Sequence, residues 1–197
     1  MPVATGAGVT DVRSRRREQV RSEILEAAWR LSDRDGIAGL SLREVAREVG
    51  MQAPSLYTYF ESKGAIYDAM FAAGYRELDA ALGDLEVAGD PVDVLAAAID
   101  RYLEFCAANV PRYQLLFTRA IPDWEPSPSA YASSVASYER MTALLTGLGI
   151  ERQEHIDLMT ALTSGMAAQQ LANDLGGGRW RRLSRSAAQM LLSHVRS

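Results

Sequence analysis

The stretch Leu40-Ser41-Leu42-Arg43-Glu44-Val45-Ala46-Arg47-Glu48-Val49-Gly50-Met51-Gln52-Ala53-Pro54-Ser55-Leu56-Tyr57-Thr58-Tyr59-Phe60-Glu61-Ser62-Lys63 decides the fold. Ser41 followed by Glu44 has the spacing of a capping box, in which each side chain satisfies a free backbone N–H at a helix start. Leu42, Val45, Ala46 and Val49 form one apolar stripe, and Gly50 supplies a left-handed stop. Ala53-Pro54 opens a second short helix, because proline is tolerated in a first turn, and this helix is expected to last to about Phe60. Ser62 then caps the next helix. Two short helices joined by a tight glycine-containing turn have the dimensions of a helix-turn-helix, whose second member offers its N-terminal residues to base edges in the major groove. Leu56 and Phe60, four apart, anchor that member inward. Ser55, Tyr57, Thr58 and Tyr59 are left as outward hydroxyls for phosphate and base contacts.

Outward from this core, apolar residues recur at three and four throughout, and no segment alternates cleanly with period two. The expected fold is all-α, with about nine helices. Upstream, a helix is expected from about Arg16 to Arg34 with Val20, Ile24, Ala27, Ala28 and Leu31 on one face and Gly36 at its end; Trp29 falls on the opposite face. Residues 1–15 read as a flexible arm, residues 16–63 as the DNA-binding domain and residues 64–197 as a helical effector-binding and dimerisation domain, with the helix after Ser62 shared. Residues 1–63 hold ten Lys and Arg against nine Asp and Glu, whereas the remainder holds eleven against sixteen. Only the N-terminal third approaches phosphate without strong repulsion, and the basic run Arg13, Arg15, Arg16, Arg17 lies in it, as either a solvated tail or a minor-groove arm. Downstream helices are expected from Asp90-Pro91 to Asn109, from Pro111 to Ile121, from Ser129 to Gly147, from Glu151 to Leu175 and from Trp180 to Arg196. Pro122 to Pro128 is the clearest loop, and Ser184-Arg185-Ser186 reads as a helix cap.

The quoted stretch, together with Ile24-Leu25-Glu26-Ala27-Ala28 and Gly36, closely resembles the DNA-binding signature of the TetR-type repressors. That resemblance implies an all-α homodimer whose N-terminal three-helix domain binds a palindromic operator and whose C-terminal domain binds a small inducer. By motif position the family's DNA contacts fall on Arg43, Gln52, Ala53, Pro54, Ser55, Tyr57, Tyr59 and Lys63. Tyr59 stands where the family often has histidine, and Ala53 offers only a methyl. Pro111-Arg112-Tyr113-Gln114-Leu115-Leu116-Phe117 resembles one common C-terminal subtype, less distinctly.

Tyr102, Phe105, Tyr113, Phe117, Trp124, Tyr138, Met141, Met159, Thr163 and Met166 suit either an ordinary core or the wall of a pocket for a largely apolar effector. Small residues Gly165 and Ala168 permit close helix approach, and Leu171, Met190 and Leu191 add apolar area for a twofold dimer through the last two long helices. Gly64 and Gly74 weaken the fourth helix, so a tilt there is cheap. His155 lacks a second histidine at ligand spacing and reads as part of a solvated helix start; His194 is distant in sequence, and no metal or cofactor is expected. Cys106 is the sole cysteine, which rules out a disulfide within the chain. No stretch nears the ~20 apolar residues of a membrane span, so a cytoplasmic protein is expected. A constitutive DNA-binding protein whose C-terminal half only dimerises stays open. More remote is an all-α enzyme, for which no convergent acid, base or nucleophile set is present.

Overall fold

The computed structural model describes residues 7–83, 85 and 89–196, with side chains from residue 12 onward. Among the described residues it is helical, without strands. In chain order the helices are α1 (Ala7–Asp35), α2 (Leu42–Glu48), α3 (Ala53–Leu56), α4 (Lys63–Leu82), α5 (Pro91–Ala108), α6 (Val110–Phe117), α7 (Pro128–Gly147), α8 (Gln153–Asn173) and α9 (Ser184–Val195). Short 3₁₀ turns at Ile37–Gly39 and Arg181–Leu183 complete it.

α1 begins nine residues earlier than Arg16, so the arm expected over residues 1–15 is helical from Ala7; residues 1–6 lie outside the described residues. Its predicted stripe is inside, with Ile24, Ala27, Ala28 and Leu31 buried. Trp29 is half-buried against the same core. α1 packs on α2, α4 and α6, and α4 runs on to pack against α5 and α7, so that α4 and α6 both bridge the two halves. α5 lies against α8 and α9 at the far side.

Two local expectations fail for tertiary reasons. The capping box does not close: Ser41 makes no side-chain cap, and Glu44, instead of reaching back, turns to Arg47 at 3.4 Å and to Arg34 of α1 at 3.6 Å. Gly50 nevertheless ends α2 at φ 70°, with Met51 N–H donating to the Ala46 carbonyl at 2.8 Å. The third helix stops at Leu56 rather than Phe60, and residues 57–59 form a turn in which the Thr58 N–H and hydroxyl both donate to the Ser55 carbonyl.

Ser62 caps α4 by accepting from Ala65 N–H at 3.0 Å. Gly74 is no weak point in that helix. A Cβ there would lie 3.0 Å from the Leu116 side chain, so the glycine is where α4 and α6 touch. Ser184 is the first residue of α9 rather than its cap, and its hydroxyl is buried without a partner. The Gln170 side chain, 1% exposed, organises the connection into α9. Its amide donates to the carbonyls of Asp174 and, at 2.9 Å, Gly177, and its oxygen accepts from Trp180 N–H. A Cβ at Gly177 would collide with the Asp174 carboxylate, which itself accepts from Arg179 N–H.

Candidate nucleic-acid interface and effector cavity

The recognition segment is held from below and open above. Leu56 and Phe60 are buried at 0% and 2% exposure, as their spacing predicts. Pro54, Ser55, Tyr57 and Thr58 are exposed on the other side, as are Arg43 on α2 and Gln52 at the start of α3. Ala53 is half-buried. The four hydroxyls expected to face outward divide. Thr58 commits its own to the Ser55 carbonyl, and Tyr59 is half-buried beneath the Arg17 guanidinium, 5.8 Å from its ring centroid. Ser55 and Tyr57 remain as exposed polar groups of the segment, Tyr57 with 53% of its surface free. Lys63 is half-buried; its ammonium is 3.4 Å from the Ala38 carbonyl and 5.3 Å above the Tyr67 ring, at the N-terminal end of α4.

A cavity of about 1260 Å³ lies among α4, α5, α6, α7 and α8. Its wall includes Tyr102, Phe117, Trp124, Tyr138, Met141, Met159 and Thr163 from the sequence-derived set. Phe105, Tyr113 and Met166 lie outside it. Phe105 stacks under the Arg112 guanidinium at 4.2 Å, Tyr113 packs against Phe117 from outside the wall at 5.8 Å, and Met166 is buried in the core. Sequence reasoning missed Phe71, Tyr75, Asp79, Leu116, Ser137 and Arg140, which line the same space. A lone carboxylate on the apolar face of α4 was the available signal for Asp79. That carboxylate accepts from the Ser137 hydroxyl at 2.7 Å and pairs with Arg140. Burial pushes the Tyr75 phenol up to about 12 and raises the Tyr102 phenol well above its ordinary value, so both are neutral hydrogen-bonding groups at physiological pH.

One aromatic chain joins cavity and interface. Tyr102 contacts Phe117 at 5.6 Å, Phe117 contacts Tyr75 at 6.1 Å, and Tyr75 contacts Phe71 at 4.9 Å. Phe71 contacts Trp124 at 5.9 Å, and Trp124 reaches Tyr67. The loop carrying Trp124 is fastened to α4 where Ser127 N–H donates to the Asp68 carboxylate at 3.1 Å.

The residues proposed for a dimer contact also divide. Gly165, Ala168 and Met190 are exposed on α8 and α9, Met190 with 59% of its surface free, and Leu171 is half-buried. Leu191 is buried inside the protomer and offers a partner nothing, whereas Leu158, Leu175 and Leu183 are exposed and were not anticipated. His155 is not solvated: it is buried at 4% exposure, with its ring 5.5 Å from that of His194, which the fold brings beside it. Among the described residues no group of three or more His, Cys, Asp or Glu is placed to hold a metal ion, and no helix is long and apolar enough to cross a membrane.

Residues 24–70 match the family described as bacterial regulatory proteins, tetR family. The chain is 30% identical over 120 residues to the HTH-type transcriptional regulator Rv1816 of Mycobacterium tuberculosis, a match covering 59% of this chain and 51% of that protein. It is 30% identical over 127 residues to the HTH-type transcriptional repressor SCO4008 of Streptomyces coelicolor, covering 61% of this chain and 63% of that one. The chain spans about half the length of the first curated relatives it matches. In fold it resembles the TetR family transcriptional regulator PfmR from Thermus thermophilus, with a TM-score of 0.64 at 23% identity over 87% of this chain and 95% of that one. Residues 24–70 thus carry the helix-turn-helix of the tetR family, set in an all-helical architecture whose fold resembles that of PfmR.

Proposed function

We propose that the protein is a cytoplasmic, ligand-responsive transcriptional repressor that binds a palindromic operator as a homodimer and is released by a small, largely apolar effector. The observation that carries this reading is the recognition segment: an exposed row of Gln52, Pro54, Ser55 and Tyr57 backed by buried Leu56 and Phe60, with Arg43 and Lys63 on the flanking helices. Base edges are met by the row, and phosphates by the two cations. Residues 16–63 serve as the DNA-binding unit and residues 64–197 as the effector and dimerisation unit, with residues 7–15 joining the former through α1.

The effector site is the cavity. Its aromatic wall suits a flat apolar molecule, and the Ser137 and Thr163 hydroxyls, which donate to Asp79 and to the Met159 carbonyl, are left as acceptors for one or two hydrogen bonds. The aromatic chain to Tyr67 favours this reading over a constitutive binder, because occupancy of the cavity bears directly on α4. A hundredfold release of operator requires the effector to prefer the released conformation by about 2.7 kcal/mol. The dimer face is the exposed side of α8 and α9, where Gly165, Ala168, Leu158 and Met190 meet their symmetry mates.

Selection of bound duplexes from a random pool, followed by gel shift against metabolite extracts, tests the reading. A palindromic consensus and a band released by an extract are expected; an extract-insensitive band would favour the constitutive alternative. In sedimentation the wild type should run as a dimer and Ala168→Arg as a monomer, and a stable Ala168→Arg dimer would move the interface elsewhere.

A further inference from the structure

Of the arginines along α1, the structure assigns two, in the middle of the helix, to the recognition segment itself. Arg17 and Arg21 are four residues apart, so they share one face of α1. Arg17 Nη2 donates to the Thr58 carbonyl at 2.9 Å, and Arg21 Nη1 donates to the Tyr59 carbonyl at 2.5 Å. The Arg21 guanidinium also lies 4.2 Å above the Phe60 ring, and only 31% of its side chain is exposed.

These carbonyls need donors. α3 is a single turn of four residues, too short to sustain itself, and the carbonyls of Thr58 and Tyr59 lie past its last helical bond. A guanidinium fork can donate in its plane while stacking on a ring with its face, which an ammonium cannot. Its positive charge also suits the carbonyl end of a helical turn. Thr58 and Tyr59 are therefore held by a helix far away in sequence.

We propose that Arg21, assisted by Arg17, is a positioning residue for DNA recognition, which sets the attitude of the Tyr57–Tyr59 turn toward the groove without itself binding phosphate. The proposal rests on the DNA-binding reading above. A phosphate contact and a positioning cap differ in what they do to salt dependence and to specificity.

The test uses the full chain and a duplex selected from a random pool by the wild type. Arg21→Gln should lose about tenfold or more in affinity for the selected duplex, the loss expected for one charge-assisted hydrogen bond. Affinity for an unrelated duplex and the salt slope should stay unchanged. Arg21→Lys, which keeps the charge and loses the fork, should fall with it. A salt slope smaller by about one together with rescue by lysine would make Arg21 a phosphate contact and overturn the proposal. Parallel loss on both duplexes, or no loss at all, would overturn it too. Amide hydrogen exchange without DNA judges the cap by itself. Exchange across residues 57–60 should quicken about tenfold in Arg21→Gln while residues 27–31 stay protected, and unchanged exchange sinks the cap. A wild type that selects no duplex would instead refute the DNA-binding reading, leaving the exchange result to decide the cap.

Discussion

The Trp124 indole lies 5.6 Å from the Tyr67 ring, tilted by 59°, and the Tyr67 hydroxyl donates to the Ile37 carbonyl at 2.8 Å. One of these residues lines the cavity and the other bonds the turn that precedes α2. On the function proposed above, a shift of the indole would reach the helix-turn-helix through this one contact. Trp124→Ala should leave operator affinity within about threefold of wild type while raising the effector concentration for half-release by about tenfold. This is the loss expected when about 1.4 kcal/mol of coupling disappears. Gel-shift titration with an extract that releases the wild type measures both quantities, and equal release curves would remove Trp124 from the mechanism.

Lys63→Ala should weaken binding to every duplex alike and reduce the salt slope by about one, as expected for a lost phosphate contact. Because Lys63 also leans on the Ala38 carbonyl, a small fall in thermal stability should accompany it. An unchanged salt slope at reduced affinity would mean that its only role is to hold that turn.

Gly74→Ala places a methyl 3.0–3.3 Å from Leu116 carbon atoms. Either α4 and α6 separate slightly or Leu116 changes rotamer, at a cost of about 1–3 kcal/mol, the usual range for overpacking. Thermal unfolding reads the cost. Gly74→Leu should fail to fold compactly, and Gly74→Ala with Leu116→Ala should recover most of the loss. A thermally neutral Gly74→Ala would show that this contact yields freely.

Burial pushes the Tyr67 phenol up to about 12, from about 10 in an unfolded chain. The folded state holds this proton longer than the unfolded one. The contribution is complete below pH 10 and drains away between pH 10 and about 12, at no more than about 1.4 kcal/mol per pH unit. Alkaline unfolding followed by circular dichroism should show this steep limb. Tyr67→Phe lacks the titrating phenol and, after losing about 1 kcal/mol at neutral pH for the unpaired Ile37 carbonyl, should show a shallower one. Superimposable limbs would contradict the assignment.

Where a residue's fate depends on its near neighbours, the sequence was legible. Leu56 and Phe60 point inward because they are four apart, Gly50 turns left-handed because α2 must stop, and Ser62 caps because a free N–H lies three residues on. The capping box at Ser41 was not legible, since Glu44 is drawn off by Arg34 from another helix. Nor was the shortness of α3, beyond whose end the α1 guanidiniums bond the Thr58 and Tyr59 carbonyls. The cavity wall shows the same division. Composition could nominate aromatic residues, but the packing of α4 to α8 around the space decides that Tyr75 and Asp79 face it while Phe105, Tyr113 and Met166 do not. Likewise, only the packing of α8 against α9 brings His155 and His194 together.

Three successive glycines at 176–178 would ordinarily mark a hinge. Held at Asp174, Gly177 and Trp180 by the one buried amide of Gln170, they form a fixed elbow instead. The two helices that flank it are therefore tied at this corner as a single bracket. An inserted residue would pull at least one partner off the amide, and the bracket would loosen at its corner long before either arm lost a contact of its own.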